Sequence, residues 1–287
     1  MSRLKLVQCV AAVTIICHLD GGQSKAISQD LLNPLGRRTT LKIPPASANH
    51  PLVQVIKDAA DHSKYIRENI ADYSCVVVRQ ERLHGRLGKH EFIYAKVRNR
   101  RMENNKIVVP FSVYLKFLKP SRVKGREVLY VEGQHNGEMF ARRGGTRLAF
   151  ITTRLKPTSS LAMHDNRYPI TEFGVENLIN RLIMAAHEDL SSNCKVSFLP
   201  DAKINNRPCN GFVVNHADQE LNPDVCQVKV FIDQEHRVPV HYEAYEWPEE
   251  EGDKPVLLER YTYMKLKLNN GYSDADFSPD NPNYRVQ

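Results

Sequence analysis

The clearest pattern in this sequence is an alternation of apolar and polar residues between positions 110 and 133. Within residues 113–119, one face carries Val113, Leu115 and Phe117, and the other carries Tyr114, Lys116 and Leu118. Residues 127–131 continue the same alternation after a basic turn that contains a proline. A period of two residues is typical of β-strands with one apolar face. The stretch therefore predicts two neighbouring strands that form a wall of the protein.

The same criteria predict a chain dominated by strands. Two segments, 51–71 and 172–190, instead place apolar residues at helical spacing. No alternation of strand and helix occurs, so we expect a β-dominated α+β fold with a large curved antiparallel sheet. Strands are predicted at 73–83, 89–98, 112–119, 126–133, 138–142, 146–153, 195–198, 211–215, 226–233, 239–247 and 256–268.

The first 50 residues are predicted to lie outside the folded domain. Residues 1–26 resemble a secretory signal, because Arg3 and Lys5 precede an apolar run that is shorter than the roughly 20 residues of a spanning helix. An uncleaved anchor is the alternative. Residues 27–50 lack periodicity and predict a disordered arm or linker. We therefore expect an exported protein of the periplasm or cell envelope, with a single domain over residues 51–287.

Four cysteines follow the predicted signal segment. Cys209 and Cys226 flank a predicted hairpin and are the best candidates for a disulfide, although free buried cysteines fit the pattern equally well. The chain contains no Cys-x-x-Cys pair, so nothing indicates a redox role.

Charge is unevenly distributed along the chain, whose net charge is +7. Residues 73–154 hold 18 Lys and Arg against 6 Asp and Glu, whereas residues 216–287 hold 7 against 15. An anionic membrane or partner would be attracted to the basic half, and a solvated face is the alternative interpretation. Export argues against nucleic acid. The candidate docking residues lie in one turn: Lys116, Lys119, Arg122, Lys124 and Arg126.

Motifs that carry catalytic or metal chemistry are absent from the sequence. There is no Gly-x-Ser-x-Gly, His-Glu-x-x-His or phosphate-binding glycine loop, and the histidines are scattered. Asp274, Asp276 and Asp280 alternate as in a calcium loop, but Pro279 stands where that loop needs glycine. We therefore expect no catalytic residues, no metal site and no cofactor, and a protein that is not an enzyme.

The predicted strands contain more apolar residues than two helices can cover, which favours a hydrophobic cavity between sheet and helices. The same residue types also build ordinary cores, so a filled core under the helix at 172–190 is the alternative. The apolar stripe of that helix, a candidate lid, contains Leu178, Ile179, Leu182 and Ile183. The candidate lining residues are Tyr114, Leu115, Phe117, Leu129, Val131, Phe140, Phe150, Tyr242, Tyr245, Tyr261 and Tyr263.

Three segments resemble a known family. VYLKFLKPSRVKGREVLYVEGQ, VPVHYEAYEWP and LLERYTYMKLKLNNGYSDADFSPDNPNY are similar to an uncharacterised bacterial envelope family, the domain of unknown function 1571. The resemblance covers residues 52–284 and extends more loosely to lipoprotein carriers of the LolA/LolB type. It implies an unclosed half-barrel of about eleven strands, with helices covering the inner face over a hydrophobic hollow that receives acyl chains in such carriers.

Two functions remain open at this point. The first is non-enzymatic binding of a lipid, a lipoprotein acyl chain or another hydrophobic ligand in the cell envelope, by a monomer whose partners are a lipid or acylated protein. The second is an envelope scaffold or stress-sensing module that binds another protein while its own helices fill the hollow.

Overall fold

The computed structural model describes residues 27–32, 38–44, 47–145, 150–250 and 252–286. The predicted signal segment, residues 1–26, lies outside them. Three α-helices are present in the described residues: α1 (Leu52–Asn69), α2 (Ser160–Met163) and α3 (Val175–Glu188). The strands are β1 (Ile27–Leu32), β2 (Arg38–Ile43), β3 (Asp72–Leu83), β4 (Arg86–Leu87), β5 (Glu91–Arg98), β6 (Arg101–Glu103), β7 (Lys106–Val109), β8 (Ser112–Lys119), β9 (Glu127–Val131), β10 (Met139–Arg142), β11 (Thr152–Leu155), β12 (Cys194–Ile204), β13 (Arg207–His216), β14 (Gln227–Asp233), β15 (Pro239–Glu246) and β16 (Val256–Leu268).

Eleven strands form one antiparallel sheet in the order β11-β10-β9-β8-β5-β3-β16-β15-β14-β13-β12. Strand β4 extends the end of β3, and β6 pairs with β7 in a separate ribbon. The outermost strands of the described sheet, β11 and β12, do not pair with each other, so the sheet is unclosed. This architecture confirms the predicted β-dominated α+β fold with about eleven antiparallel strands.

Helices α1 and α3 pack on one face of the sheet, which we call the inner face. The alternation predicted for β8 holds, because Val113, Leu115 and Phe117 belong to the core beneath the helices. Ile56 of α1 and Ile183 of α3 are almost completely buried in the same core. Burying these apolar stripes together supplies the main stabilisation of both helices, since short helices are marginal alone.

The beginning of α3 is fixed to the centre of the sheet. Gly174 precedes the helix with φ +110°, and a Cβ there would lie 2.7 Å from the Tyr73 hydroxyl. That hydroxyl accepts a hydrogen bond from the Val175 N–H over 3.0 Å. One of the N–H groups that every helix leaves unpaired at its start is thereby satisfied by β3.

The opposite, outer face of the sheet is covered by the segment 269–286. The ring of Tyr284 stacks on Tyr114 with 3.7 Å between the ring centroids. The Asp72 carboxylate accepts hydrogen bonds from the backbone N–H groups of residues 270–272. We call 269–286 the C-terminal strap. A second, smaller core forms beneath it from Tyr114, Leu129, Val131, Phe277, Tyr284 and Val286.

The structure differs from the prediction for residues 27–50. Strands β1 and β2 pair as an antiparallel ribbon inside the segment 27–50, which was predicted to be a disordered arm. Thr39, Thr40 and Ile43 are β-branched residues that favour extended backbone, a signal that composition alone hides. The domain boundaries remain predictions. No helix among the described residues is long and apolar enough to cross a membrane.

The predicted Cys209–Cys226 disulfide is wrong, and both thiols are free. Cys209 pairs with Asp233 at one end of the β13–β14 hairpin, whereas Cys226 lies beside His216 at the other end. Seven residues of strand separate the two ends, about 23 Å at the usual rise. A disulfide needs Cα atoms within about 7 Å. Cys209 lies near the start of β13, and Cys226 lies just before the start of β14. The starts of two antiparallel strands lie at opposite ends of their hairpin, which the sequence analysis overlooked.

Candidate functional site

A cavity lies between the inner face and the segment that contains α2 and the start of α3, and we call it the main cavity because it is the larger of the two apolar cavities under the helices. Its volume is about 120 Å³. Strands β3, β5, β8, β9, β10 and β16 supply its wall, and Phe173 and Leu178 cover it. The wall residues are apolar side chains that alternate inward along these strands: Val77, Ile93, Leu115, Phe117, Val128 and Met139.

One side of this cavity carries a buried polar network. Glu81 of β3 and Glu259 of β16 stand directly opposite each other across the central strand pair, and both are buried. Tyr261 donates a hydrogen bond to Glu81, and Tyr168 donates one to Glu259 over 2.8 Å. Burial raises the pKa of Tyr261 well above its usual value, so the phenol remains a donor. The carboxylates are therefore satisfied by fixed donors.

Arginines complete this network. The Arg181 guanidinium lies 3.6 Å from the centre of the Tyr168 ring, and Arg167 Nε lies 3.2 Å from Glu259 Oε2. This placement of cations beside two buried carboxylates offsets their cost of desolvation.

A second pair of arginines flanks Phe117. The guanidinium carbons of Arg79 and Arg126 lie 5.6 Å and 5.2 Å from the centre of its ring. Arg79 also contacts Glu91 at 2.8 Å, and Arg126 lies 3.6 Å from Asp165. Burial lowers the pKa of Arg126. The cavity thus combines an apolar wall with guanidinium groups along its side.

Four of the predicted lining residues line this cavity: Leu115, Phe117, Tyr261 and Tyr263. Tyr242 is buried behind them, with its ring 6.2 Å from that of Tyr261. The prediction is wrong for the remaining six. Five of them lie on the outer face or under the strap, and Phe150 is 73% exposed: Tyr114, Leu129, Val131, Phe140, Tyr245 and Phe150. Neighbouring residues of a strand point to opposite faces, so Tyr114 and Leu115 cannot share a wall.

The predicted lid helix contributes to two cavities. Leu178 covers the main cavity. The other three residues, Ile179, Leu182 and Ile183, instead face α1 and a second apolar cavity of about 50 Å³. The stripe of α3 is therefore divided between covering the main cavity and packing against α1.

The predicted docking residues have different surroundings. Lys119, Arg122 and Lys124 are exposed at the β8–β9 turn. Lys116 lies 3.5 Å from the buried Glu127, and Arg126 belongs to the cavity side. The five residues thus do not form one surface.

Arg79, Glu81, Tyr168 and Arg181 are site residues that the sequence analysis missed. Tyr73, Cys75 and Val77 occupy the inward positions of β3, and the period of two continues to Arg79 and Glu81. Charged residues at inward positions are the signal that was available. Among the described residues, no cluster of three metal-ligating side chains occurs.

Sequence and structure comparisons give a family and several distant likenesses. A family model described as "Protein of unknown function (DUF1571)" matches residues 70–286 and confirms the predicted family, whose resemblance was expected over residues 52–284. No curated protein matches the chain in sequence. The solved structures that resemble it include MucB, which is 13% identical with a TM-score of 0.45 over 78% of this chain and 62% of MucB.

Two further solved structures are matched over nearly their whole length. The Mycobacterium tuberculosis lipoprotein LppX is 13% identical, with a TM-score of 0.39 over 77% of this chain and 98% of LppX. A LolA superfamily protein from Nitrosomonas europaea is 10% identical, with a TM-score of 0.32 over 78% of this chain and 98% of its own. At these TM-scores the likenesses assign neither ligand nor partner.

Proposed function

The chain belongs to the DUF1571 family, whose description names no function, and we propose that it binds an apolar ligand in its main cavity without catalysis. The ligand we infer is the acyl chain of a lipid or of a lipoprotein, held by a protein exported to the cell envelope. The observation that carries this proposal is the composition of the cavity, an apolar wall beside fixed guanidinium groups.

The energetics favour an acyl chain over a polar ligand. Each buried methylene contributes about 0.8 kcal/mol, so several methylenes against Ile93, Leu115 and Phe117 supply useful affinity without any polar contact. Arg126 lies at the same wall and suits an anionic carboxylate or phosphate at the end of such a chain. The buried carboxylates Glu81 and Glu259 already hold their own donors and so need no substrate.

In this proposal α3 is the movable cover. Leu178 closes the cavity from above, and the helix is tied to the sheet at its first residue through Tyr73. A ligand longer than the present cavity enters when α3 moves away from β3. Helix α1 stays packed on the inner face of the sheet.

A second candidate function is a scaffold that binds another protein and keeps its hollow filled. The observation that favours it is the inner face beneath α1, where Ile56, Ile179 and Ile183 leave only the small second cavity. Under this alternative the main cavity is a packing defect without a ligand.

The test has two parts. Mass spectrometry of the protein purified from its native envelope is expected to detect a stoichiometric lipid or acylated peptide. Binding of cis-parinaric acid, a fluorescent fatty acid, is then compared between the wild type and Leu115→Trp, which fills the cavity. We expect at least about tenfold weaker binding by the variant, the loss of two or more buried methylenes.

Ile107→Trp is the matched control, because Ile107 is exposed on β7, away from the cavity wall. It should bind the fatty acid as the wild type does. A clean mass without any ligand, together with no uptake of the fatty acid, would contradict the proposal and leave the scaffold as the better account.

A further inference from the structure

Several basic loops meet at one end of the sheet. The register places Arg79 beside Glu91, Phe92 beside Lys119, and Arg142 beside both Glu127 and Thr152. The connections 84–90, 119–126 and 143–151 therefore leave the sheet at the same end. Helix α2 joins them, because Asp165 just after it lies within 3.7 Å of Arg122 and Arg126. We call the described residues of these three loops, together with Leu118 and residues 160–165, the basic rim.

Four of the nine large apolar side chains that are exposed among the described residues lie on this rim. Phe150 and Leu161 are 73% and 67% exposed, and Leu87 and Leu118 are 38% and 37% exposed. They stand on four separate segments, at the β3–β4 hairpin, the end of β8, the start of β11 and α2. Large exposed apolar residues that recur around one end of a molecule indicate an interaction surface.

Exposed cations alternate with these apolar tips. None of them has a carboxylate oxygen within 4.0 Å among the described residues, in contrast to Arg122 and Arg126, which are paired. The rim thus presents charge that no carboxylate of the described residues neutralises. These exposed cations are Arg86, Lys89, Lys119, Lys124 and Arg143.

The other half of the same sheet end is acidic. The β15–β16 and β13–β14 connections carry Glu249, Glu250, Asp253, Asp218 and Glu220, all of them on the side of β12. Opposite charges are therefore separated across one end of the molecule. A flat anionic surface would attract the basic rim and repel the acidic half, which fixes the orientation of approach.

We propose that the basic rim docks on an anionic lipid bilayer. Leucine and phenylalanine tips interleaved with lysine and arginine are the arrangement that interfacial membrane binding requires, since the tips enter the headgroup region and the cations remain among the phosphates. A polyanionic protein or polysaccharide would use the cations and leave the apolar tips in water. This docking does not depend on whether the cavity takes a lipid.

The experiment is flotation of the protein with vesicles of phosphatidylglycerol and with vesicles of phosphatidylcholine. The wild type is expected to bind phosphatidylglycerol vesicles, and to bind them more weakly, but still measurably, as the salt concentration rises. Lys119→Glu/Lys124→Glu should weaken this binding at least about tenfold, because two attractions to the anionic surface become repulsions. Leu161→Ser should weaken it also at high salt, where only the apolar contribution persists.

Matched controls come from the edge strand β12. Lys195→Glu/Lys203→Glu reverses two exposed lysines, and Phe198→Ser removes an exposed aromatic tip, both on the strand at the opposite edge of the sheet from β11. Both controls should bind vesicles as the wild type does. Absence of vesicle binding by the wild type, equal losses in rim and control variants, or insensitivity to Leu161→Ser would overturn the proposal. Fatty-acid uptake by the rim variants tests the cavity separately, and we expect it to be unchanged.

Discussion

Gly174 and Tyr73 show how single residues position the candidate cover of the cavity. The glycine allows the chain to turn from residue 173 into α3 at a backbone angle that other residues rarely adopt. The Tyr73 hydroxyl fills the space that a side chain at position 174 would occupy, and it accepts the Val175 N–H. The same contact therefore fixes the start of the helix and requires a glycine before it.

Gly174→Ala should consequently destabilise the protein by about 3 kcal/mol or more, from backbone strain of about 1–3 kcal/mol and the contact with Tyr73. Urea unfolding measures the change. Gly133→Ala is the control, because Gly133 also has a positive φ but faces open space, and it should lose only about 1 kcal/mol. Equal losses in the two variants would mean that the contact with Tyr73 is unimportant.

Glu176, in the first turn of α3, makes stability depend on pH. Burial raises its pKa to about 7, and Arg67 and Arg100 offset this only in part. In the unfolded chain a glutamate has a pKa near 4.3, so between these values the unfolded state loses its proton first. Ionisation of Glu176 therefore destabilises the folded protein progressively as the pH rises towards about 7.

Glu176→Gln should remove this penalty. At pH 4 the variant and the wild type are expected to unfold at similar urea concentrations, and at pH 8 the variant should be more stable by about 1–3 kcal/mol. A constant difference at both pH values would contradict the desolvation of this partly buried carboxyl group. Glu188→Gln, at the end of the same helix, provides the comparison.

At the scale of elements, the C-terminal strap depends on one carboxylate. Asp72 accepts hydrogen bonds from the N–H groups of Asn270, Gly271 and Tyr272 at 2.6, 3.1 and 3.0 Å. These contacts join the strap to the start of β3. They direct the following residues across the outer face, where Tyr284 reaches Tyr114.

Asp72→Ala should therefore loosen the strap and cost about 2–3 kcal/mol, since hydrogen bonds to a charged acceptor are among the stronger ones. Hydrogen exchange should accelerate in residues 270–286 while α3 stays protected. Asp274→Ala is a suitable control, because its ion pair with Arg98 is exposed on the aspartate side and should contribute less than about 1 kcal/mol. Unchanged exchange in the strap would show that the stacking of Tyr284 suffices.

The sequence predicts those features that neighbouring residues determine, and it fails for features that depend on contacts between distant segments. The alternation of Val113 and Tyr114 in β8 follows from strand geometry, and it correctly assigned the two faces of that strand. The site prediction failed where residues from both faces were combined, as with Tyr114 and Leu115. Periodicity assigns a residue to a face, but which face the helices cover is decided by long-range packing.

At the scale of the whole molecule, the basic and acidic halves of the sequence occupy different halves of the sheet. The basic residues 73–154 contribute the strands from β3 to β11, and the acidic residues 216–287 contribute β14 to β16 and the strap. The charge imbalance was visible in the sequence. Its concentration at one end was not, because that depends on the register of strands such as β5 and β8.

The order of strands also bears on how fast the molecule can fold. Each strand from β8 to β11, and each from β12 to β16, pairs with its neighbour in the sequence, so both halves of the sheet assemble from local hairpins. Among the strand pairs of the described sheet, the seam between β3 and β16 joins segments about 180 residues apart, as the bond from Tyr261 to Glu81 illustrates. Closing a loop of that length costs roughly 5 kcal/mol of chain entropy before any seam contact forms. The two halves can therefore form quickly, and the rate of folding is set by the encounter that brings β3 and β16 together.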